Sequence, residues 1–204
     1  MSRKFKISTK YYGDRKIYKK ATVEINPGIT VLVGCNGSGK TTFLHQLKTT
    51  LEKGNIPVIY YDNLYEGGSR AKESAMFYGD IQLCGNLMLS SEGEQITLNL
   101  GTAARKIGSL LREDSDEYWI LLDAIDSGLS VDQVQDVKRD LLHMVMEYEK
   151  GKIIYFVVSC NEYEMCVDEP CFNVTEGKYV SINSYDDYKA EILKTREYKN
   201  KSCQ

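Results

Sequence analysis

The sequence predicts an α/β fold built on a largely parallel sheet, and three observations carry that expectation. Apolar runs of strand length, at 29–33, 118–122 and 152–159, alternate with helical stretches rather than with tight turns. The run at 29–33 leads directly into a glycine-rich loop, Gly34-Cys35-Asn36-Gly37-Ser38-Gly39-Lys40-Thr41-Thr42, and a helical pattern leaves it. The run at 118–122 ends in an acid, Asp123, which a parallel sheet would bring to the same edge as that loop.

Taken in order, residues 4–8 and 17–25 read as an antiparallel N-terminal hairpin, with Val23 and Ile25 on one face. Asn26-Pro27-Gly28 turns the chain into the strand at 29–33. A helix is expected from Thr41 to Leu51 and another strand at 58–61, framed by Gly54 and Pro57 and ending at Asp62-Asn63. Residues 64–88 read as a loop and a short, weakly amphipathic helix, followed by a helix that runs on to about Leu111. After the strand ending at Asp123, a turn through Asp126 and Gly128 opens a helix from Val131 to about Tyr148. Gly151 closes it before the strand at 152–159, and a last helix is expected from Tyr185.

The loop at 34–42 fits G-x-x-x-x-G-K-[ST], the phosphate-binding P-loop. Glycines let backbone N–H groups turn inward around phosphate oxygens, and the following helix adds the positive end of its dipole. Lys40 is then placed for the β- and γ-phosphates, and the Thr41 hydroxyl for Mg²⁺. Asp123 supplies a carboxylate for the same cation. The expected ligand is therefore a nucleoside triphosphate with Mg²⁺. Tyr11, Tyr12 and Tyr18 lie in or beside the hairpin, where one of them can stack on a purine ring. Ser90-Ser91-Glu92-Gly93-Glu94 opens a helix with a hydroxyl and bare N–H groups, which suits either a phosphate or an ordinary cap.

The 204 residues, 42% of them hydrophobic, are enough for one domain with one good core. No charged-then-apolar leader follows Met1, and the longest apolar run, 153–158, is far too short to span a bilayer. Six cysteines without a CxxC pair point to reduced, buried thiols in a cytoplasmic protein. A net charge of −3 conceals an asymmetry: residues 1–20 hold eight Lys/Arg against Asp14 alone, while the rest is acidic. That basic stretch can meet a nucleic acid or an acidic protein partner, or can simply protect an exposed hairpin edge.

In combination these blocks resemble the ABC-type ATPase superfamily, in the manner of its soluble RecF/SMC-like heads. The loop at 34–41 looks like the Walker A motif, Ser90 to Glu94 like the signature motif, Asp123 like the Walker B aspartate, and Ser127-Gly-Leu-Ser130 like the D-loop. The resemblance implies a P-loop NTPase of ABC-ATPase type: residues 1–204 as one nucleotide-binding domain, 1–28 its β subdomain and 64–111 a reduced helical lobe. It also implies an aromatic contact to the base from Tyr11 or Tyr12, and a Q-loop amide at Asn63 or Gln82, with Asn63 preferred and facing Mg²⁺. Members of the family usually close head-to-tail as dimers, which would bring Ser91 and Gly93 of one copy to the ATP held by another.

Two departures bear on turnover. The position after Asp123, where the family carries its catalytic glutamate, is Ala124. The position of the switch histidine is Asn161, which can hydrogen-bond a γ-phosphate but carries no charge. Asp126 is a substitute water-orienting acid or a turn former. Slow or absent hydrolysis is therefore expected. Three functions remain open: a dimerising ATP switch or weak ATPase with a possible link to DNA, a transporter's nucleotide-binding subunit, and a regulatory module without turnover.

Overall fold

The computed structural model describes residues 2–10, 16–63, 92–149 and 151–202. Two short strands, β1 (Arg3–Lys6) and β2 (Thr22–Ile25), pair antiparallel as a separate ribbon, with Phe5 opposite Val23. The main sheet is built from β3 (Gly28–Val33), β4 (Val58–Asp62), β5 (Glu117–Asp123), β6 (Ile153–Ser159), β7 (Cys171–Asn173) and β8 (Lys178–Val180). Its order is β4-β5-β6-β3-β7-β8, parallel throughout except for the β7–β8 pair. The helices are α1 (Lys40–Lys53), α2 (Glu92–Leu110), α3 (Val131–Val137), α4 (Met144–Tyr148), α5 (Tyr163–Cys166) and α6 (Tyr185–Lys201).

The central strands read as unbroken apolar runs because both faces of the sheet are covered. Alternate residues enter two different cores. Ile29, Val31 and Val33 of β3, Ile120 and Leu122 of β5, and Phe156 and Val158 of β6 pack on one side, with Ala103, Ile107 and Leu110 of α2. Leu32, Trp119, Leu121, Tyr155 and Val157 face the other way, against Phe43, Leu44, Leu47 and Leu51 of α1. Phe5, Val23 and Ile25 join this second core, so the N-terminal ribbon is laid over the sheet rather than standing apart. Trp119 stacks on Tyr155 at 4.0 Å and meets Phe5 edge-on at 5.1 Å.

The order of the strands does what the site requires. Strand β6 lies between β3 and β5, so the loop after β3, the acid ending β5 and the turn after β6 all emerge at one sheet edge. In β4, Asp62 is in register with Asp123.

Several elements differ from the sequence expectation. The second hairpin strand was expected over 17–25, but the continuous ladder covers only Thr22–Ile25. Further out the two arms meet in single bonds from the Ile7 N–H to Ala21 O and from the Ile17 N–H to Thr9 O, and in a bridge between Lys10 and Lys16. Residues ahead of it leave the ladder: the Lys19 N–H donates to Thr175 O at 2.8 Å, and Tyr18 turns inward to the P-loop. The helix expected over 131–148 contains a π-helical turn, Lys138–His143, where the Lys138 ammonium reaches the carbonyls of Glu164 and Val167 at either end of α5. Strands β7 and β8 were not anticipated, because three residues are too few to show a period. The loop and helix expected at 64–88 lie outside the described residues.

The basic N-terminal stretch is partly neutralised within the fold. Arg3 holds Glu117 with two hydrogen bonds, 2.8 and 2.7 Å, and Lys19 pairs with Glu176 at 2.5 Å. Cys35, Cys160, Cys166 and Cys171 are free and buried. The hydrogen bond with Cys160, reinforced by burial, pushes the Cys166 thiol up and keeps it protonated.

Candidate phosphate-binding site

The loop from Gly34 to Gly39 leaves β3 and enters α1 with the geometry of an anion cradle. Gly37 and Gly39 have φ of 76° and 96°, a left-handed region that a side chain would disfavour. A Cβ on Gly39 would also lie 2.9 Å from the Tyr18 hydroxyl. That hydroxyl donates to Gly39 O at 2.7 Å and so fixes the carbonyl from the N-terminal side. Gly34 is needed for closeness, since a Cβ there would be 2.4 Å from Ser38 Oγ. Helix α1 follows Gly39 with no side-chain cap and no acid in its first turn. Its first N–H groups are therefore left for an anion. Ser38 Oγ is buried in the loop with no hydrogen-bond partner among the described residues. This set fits a phosphate chain.

Lys40 is buried and its ammonium bridges two sides of the cleft, donating to Gly34 O at 2.7 Å and to Asn161 Oδ1 at 3.1 Å. Burial lowers its pKa below the ordinary lysine value, partly offset by Asp126, Asp123 and the thiols of Cys160 and Cys35. An incoming anion would reverse that penalty.

Asp123 ends β5, buried at 3% exposure, and both its oxygens are held. Ser159 Oγ donates to Oδ1 at 2.6 Å from β6, and the Tyr60 hydroxyl donates to Oδ2 at 2.9 Å from β4. Strands on both sides thus aim this carboxylate, and each oxygen keeps a lone pair. Thr41 is exposed in the cleft at the start of α1, and Thr42 is half-buried beside it. With Asp123, Thr41 offers the oxygen donors a hard divalent cation needs.

Asp126 has a different neighbourhood. Its Oδ2 accepts the backbone N–H groups of Asn161 and Glu162 at 2.5 and 2.7 Å, so it pins the turn after β6. Its Oδ1 is buried without a partner among the described residues. Ala124 has φ of 50°, and its N–H points to Ser159 Oγ at 3.4 Å. Asn63 stands at the end of β4 and donates from Nδ2 to Ser127 O at 3.2 Å, tying that strand to the turn beyond Asp123.

One cleft is lined by Cys35, Asn36, Gly37, Gly39, Lys40, Thr41 and Thr42 together with Asp123, Ala124, Ser159 and Asn161. Most of the sequence-derived residues therefore converge. Tyr11, Tyr12, Gln82 and Ser91 lie outside the described residues, and Gly93 falls in the first turn of α2. The sequence reading missed the supports of Asp123, Tyr60 in the middle of β4 and Ser159 at the end of β6. It also missed Lys199 of α6, which lines the same cleft and has no local motif to mark it.

No family model and no curated protein matches the chain. Solved structures do. The ADP conformation of MJ1267, an ATP-binding cassette of an ABC transporter, is 12% identical, covers 96% of this chain and 98% of its own, and superposes with a TM-score of 0.53. Stu0660 of Streptococcus thermophilus, also 12% identical, covers 82% of this chain and 75% of its own at a TM-score of 0.44. The mostly parallel sheet with its antiparallel N-terminal ribbon thus has the fold of an ATP-binding cassette.

Proposed function

We propose that this protein is an ATP-binding head that pairs head-to-tail with a second copy around ATP and Mg²⁺ and acts as a switch or weak ATPase. The observation that carries the reading is the juxtaposition in one cleft of an uncapped glycine loop, the buried Lys40 and a doubly braced Asp123. Lys40 and the loop N–H groups would hold the phosphates, and Thr41 with Asp123 the cation, with Asn63 a further candidate beside it. When bound, the cation would neutralise charge on the phosphate oxygens. Asn161, now hydrogen-bonded to Lys40, is the candidate sensor of the terminal phosphate. Ala124 offers no carboxylate to orient a water, which favours holding ATP over hydrolysing it. Ser91 and Gly93 are proposed to complete the site of the other copy, and Tyr11 or Tyr12 to meet the base. A RecF/SMC-like role in DNA-linked work rests on the signature form and the basic residues of the first twenty.

The test is the mass in solution. ATP with Mg²⁺ should double it, Lys40→Met should abolish both binding and doubling, and Ser91→Arg should abolish doubling alone. Wild-type protein that binds no ATP would sink the reading, and doubling that survives Ser91→Arg would remove the head-to-tail geometry.

A further inference from the structure

Helix α6 is bound both to the P-loop and to the turn after β6. Near its start, the Tyr188 hydroxyl donates to Asn161 O in the turn after β6. At its middle, the Cys35 N–H of the P-loop donates at 2.9 Å to Thr195 Oγ1, which is 1% exposed and donates onward to Ile192 O. Near its end, Lys199 Nζ donates to Asn36 O at 2.8 Å and lies over Gly37, 2.7 Å from where a Cβ would stand. Tyr198 in turn takes the Lys19 ammonium over its ring at 5.0 Å.

From this geometry we infer that Lys199 is a second phosphate-binding lysine, reaching the P-loop from α6 opposite Lys40. The inference rests on the nucleotide-site reading above. Lys199 lines the cleft that holds Lys40, Thr41, Asp123 and Asn161. Its half-buried ammonium carries three N–H donors, and a neutral carbonyl takes one of them. A polyphosphate in the cleft is a far stronger acceptor for the others, because charge-assisted bonds to phosphate are about twice as strong as those to neutral groups. Lys16 and Lys199 both line the adjoining groove beside Gly37 and Ser38, so a second cation borders this part of the loop. The bare glycine at 37 is what lets the lysine approach the loop this closely.

The experiment measures affinity for ATP and for inorganic tripolyphosphate by calorimetry, on wild type, Lys40→Met, Lys199→Met, Lys199→Arg and Thr195→Val. Lys199→Met should weaken both ligands about ten- to hundredfold. Lys199→Arg should recover most of that loss, and the salt dependence of tripolyphosphate binding should become shallower in Lys199→Met. Thr195→Val, which removes the other tie between α6 and the loop but keeps the ammonium, should change tripolyphosphate affinity far less. If wild type and Lys40→Met bind alike, the nucleotide site itself is misplaced. If Lys40→Met loses binding while Lys199→Met retains it, only the role of Lys199 falls. Equal losses in Lys199→Met and Thr195→Val would overturn it too, by tracing the effect to the docking of α6.

Discussion

Asp123 and Asp126 stand three residues apart and face different tasks. The first is aimed into the cleft by hydroxyls from two neighbouring strands, whereas the second spends its bonded oxygen on the backbone of the turn carrying Asn161. Ala124, next to Asp123, lines the same cleft without a carboxylate. Its φ of 50° is already occupied by an alanine, so a longer side chain adds little backbone strain. Ala124→Glu should therefore raise ATP turnover at least about tenfold, measured as phosphate release under saturating ATP. Unchanged turnover would mean that the assembled site cannot use a base there. Lys40 makes a second prediction. Burial depresses its pKa from 10.5, and a bound triphosphate favours its charged form. Binding should then take up a proton once pH exceeds the free-state value. Affinity should fall as pH rises, starting below the range of an ordinary lysine. Calorimetry in buffers of different ionisation enthalpy would detect the uptake, and a binding heat that does not vary with the buffer would remove it.

At the level of elements, the strands were the most legible part of the sequence and the ends of the hairpin the least. Runs buried on two faces announce themselves, and the loop between β3 and α1 carries a spacing that few other structures need. Residues 17–21 read as strand because Ile17 and Tyr18 are good strand formers. Tertiary contacts won instead, with Ile17 at the cleft and Tyr18 bonded to Gly39 O. What brings them there is the ribbon's seat on β5 and β6, and Trp119 is its centre. The indole N–H donates to Glu117 Oε1 at 2.6 Å, the same carboxylate that Arg3 grips. Trp119→Ala should cost about 3–5 kcal/mol in chemical denaturation and loosen the ribbon with it. A loss below about 1 kcal/mol, the level of an ordinary surface change, would show that the ribbon is seated by other contacts.

Over the whole molecule, the fold class and nearly all of the described site follow from local motifs, because a P-loop and a strand ending in an acid each need only adjacent residues. What stayed hidden was long-range. The braces on Asp123 come from β4 and β6, and the contacts of α6 join residues far apart in the chain, as no spacing rule could reveal. The short strands β7 and β8 escaped for a related reason, since β7 is defined by its pairing with β3 and β8 by its pairing with β7, not by their own three residues.

The docking of α6 has a consequence for synthesis. Cys35 and Asn36 are separated from Thr195 and Lys199 by 160 and 163 positions. At a ribosomal pace of about 5–20 residues per second, the P-loop exists for roughly ten to thirty seconds before its last partners are made. If Lys199 binds phosphate as inferred above, a nascent chain holds the loop with Lys40 alone, and the second lysine arrives only when α6 has emerged. Tight binding of nucleotide would then report that the chain has been made at least that far.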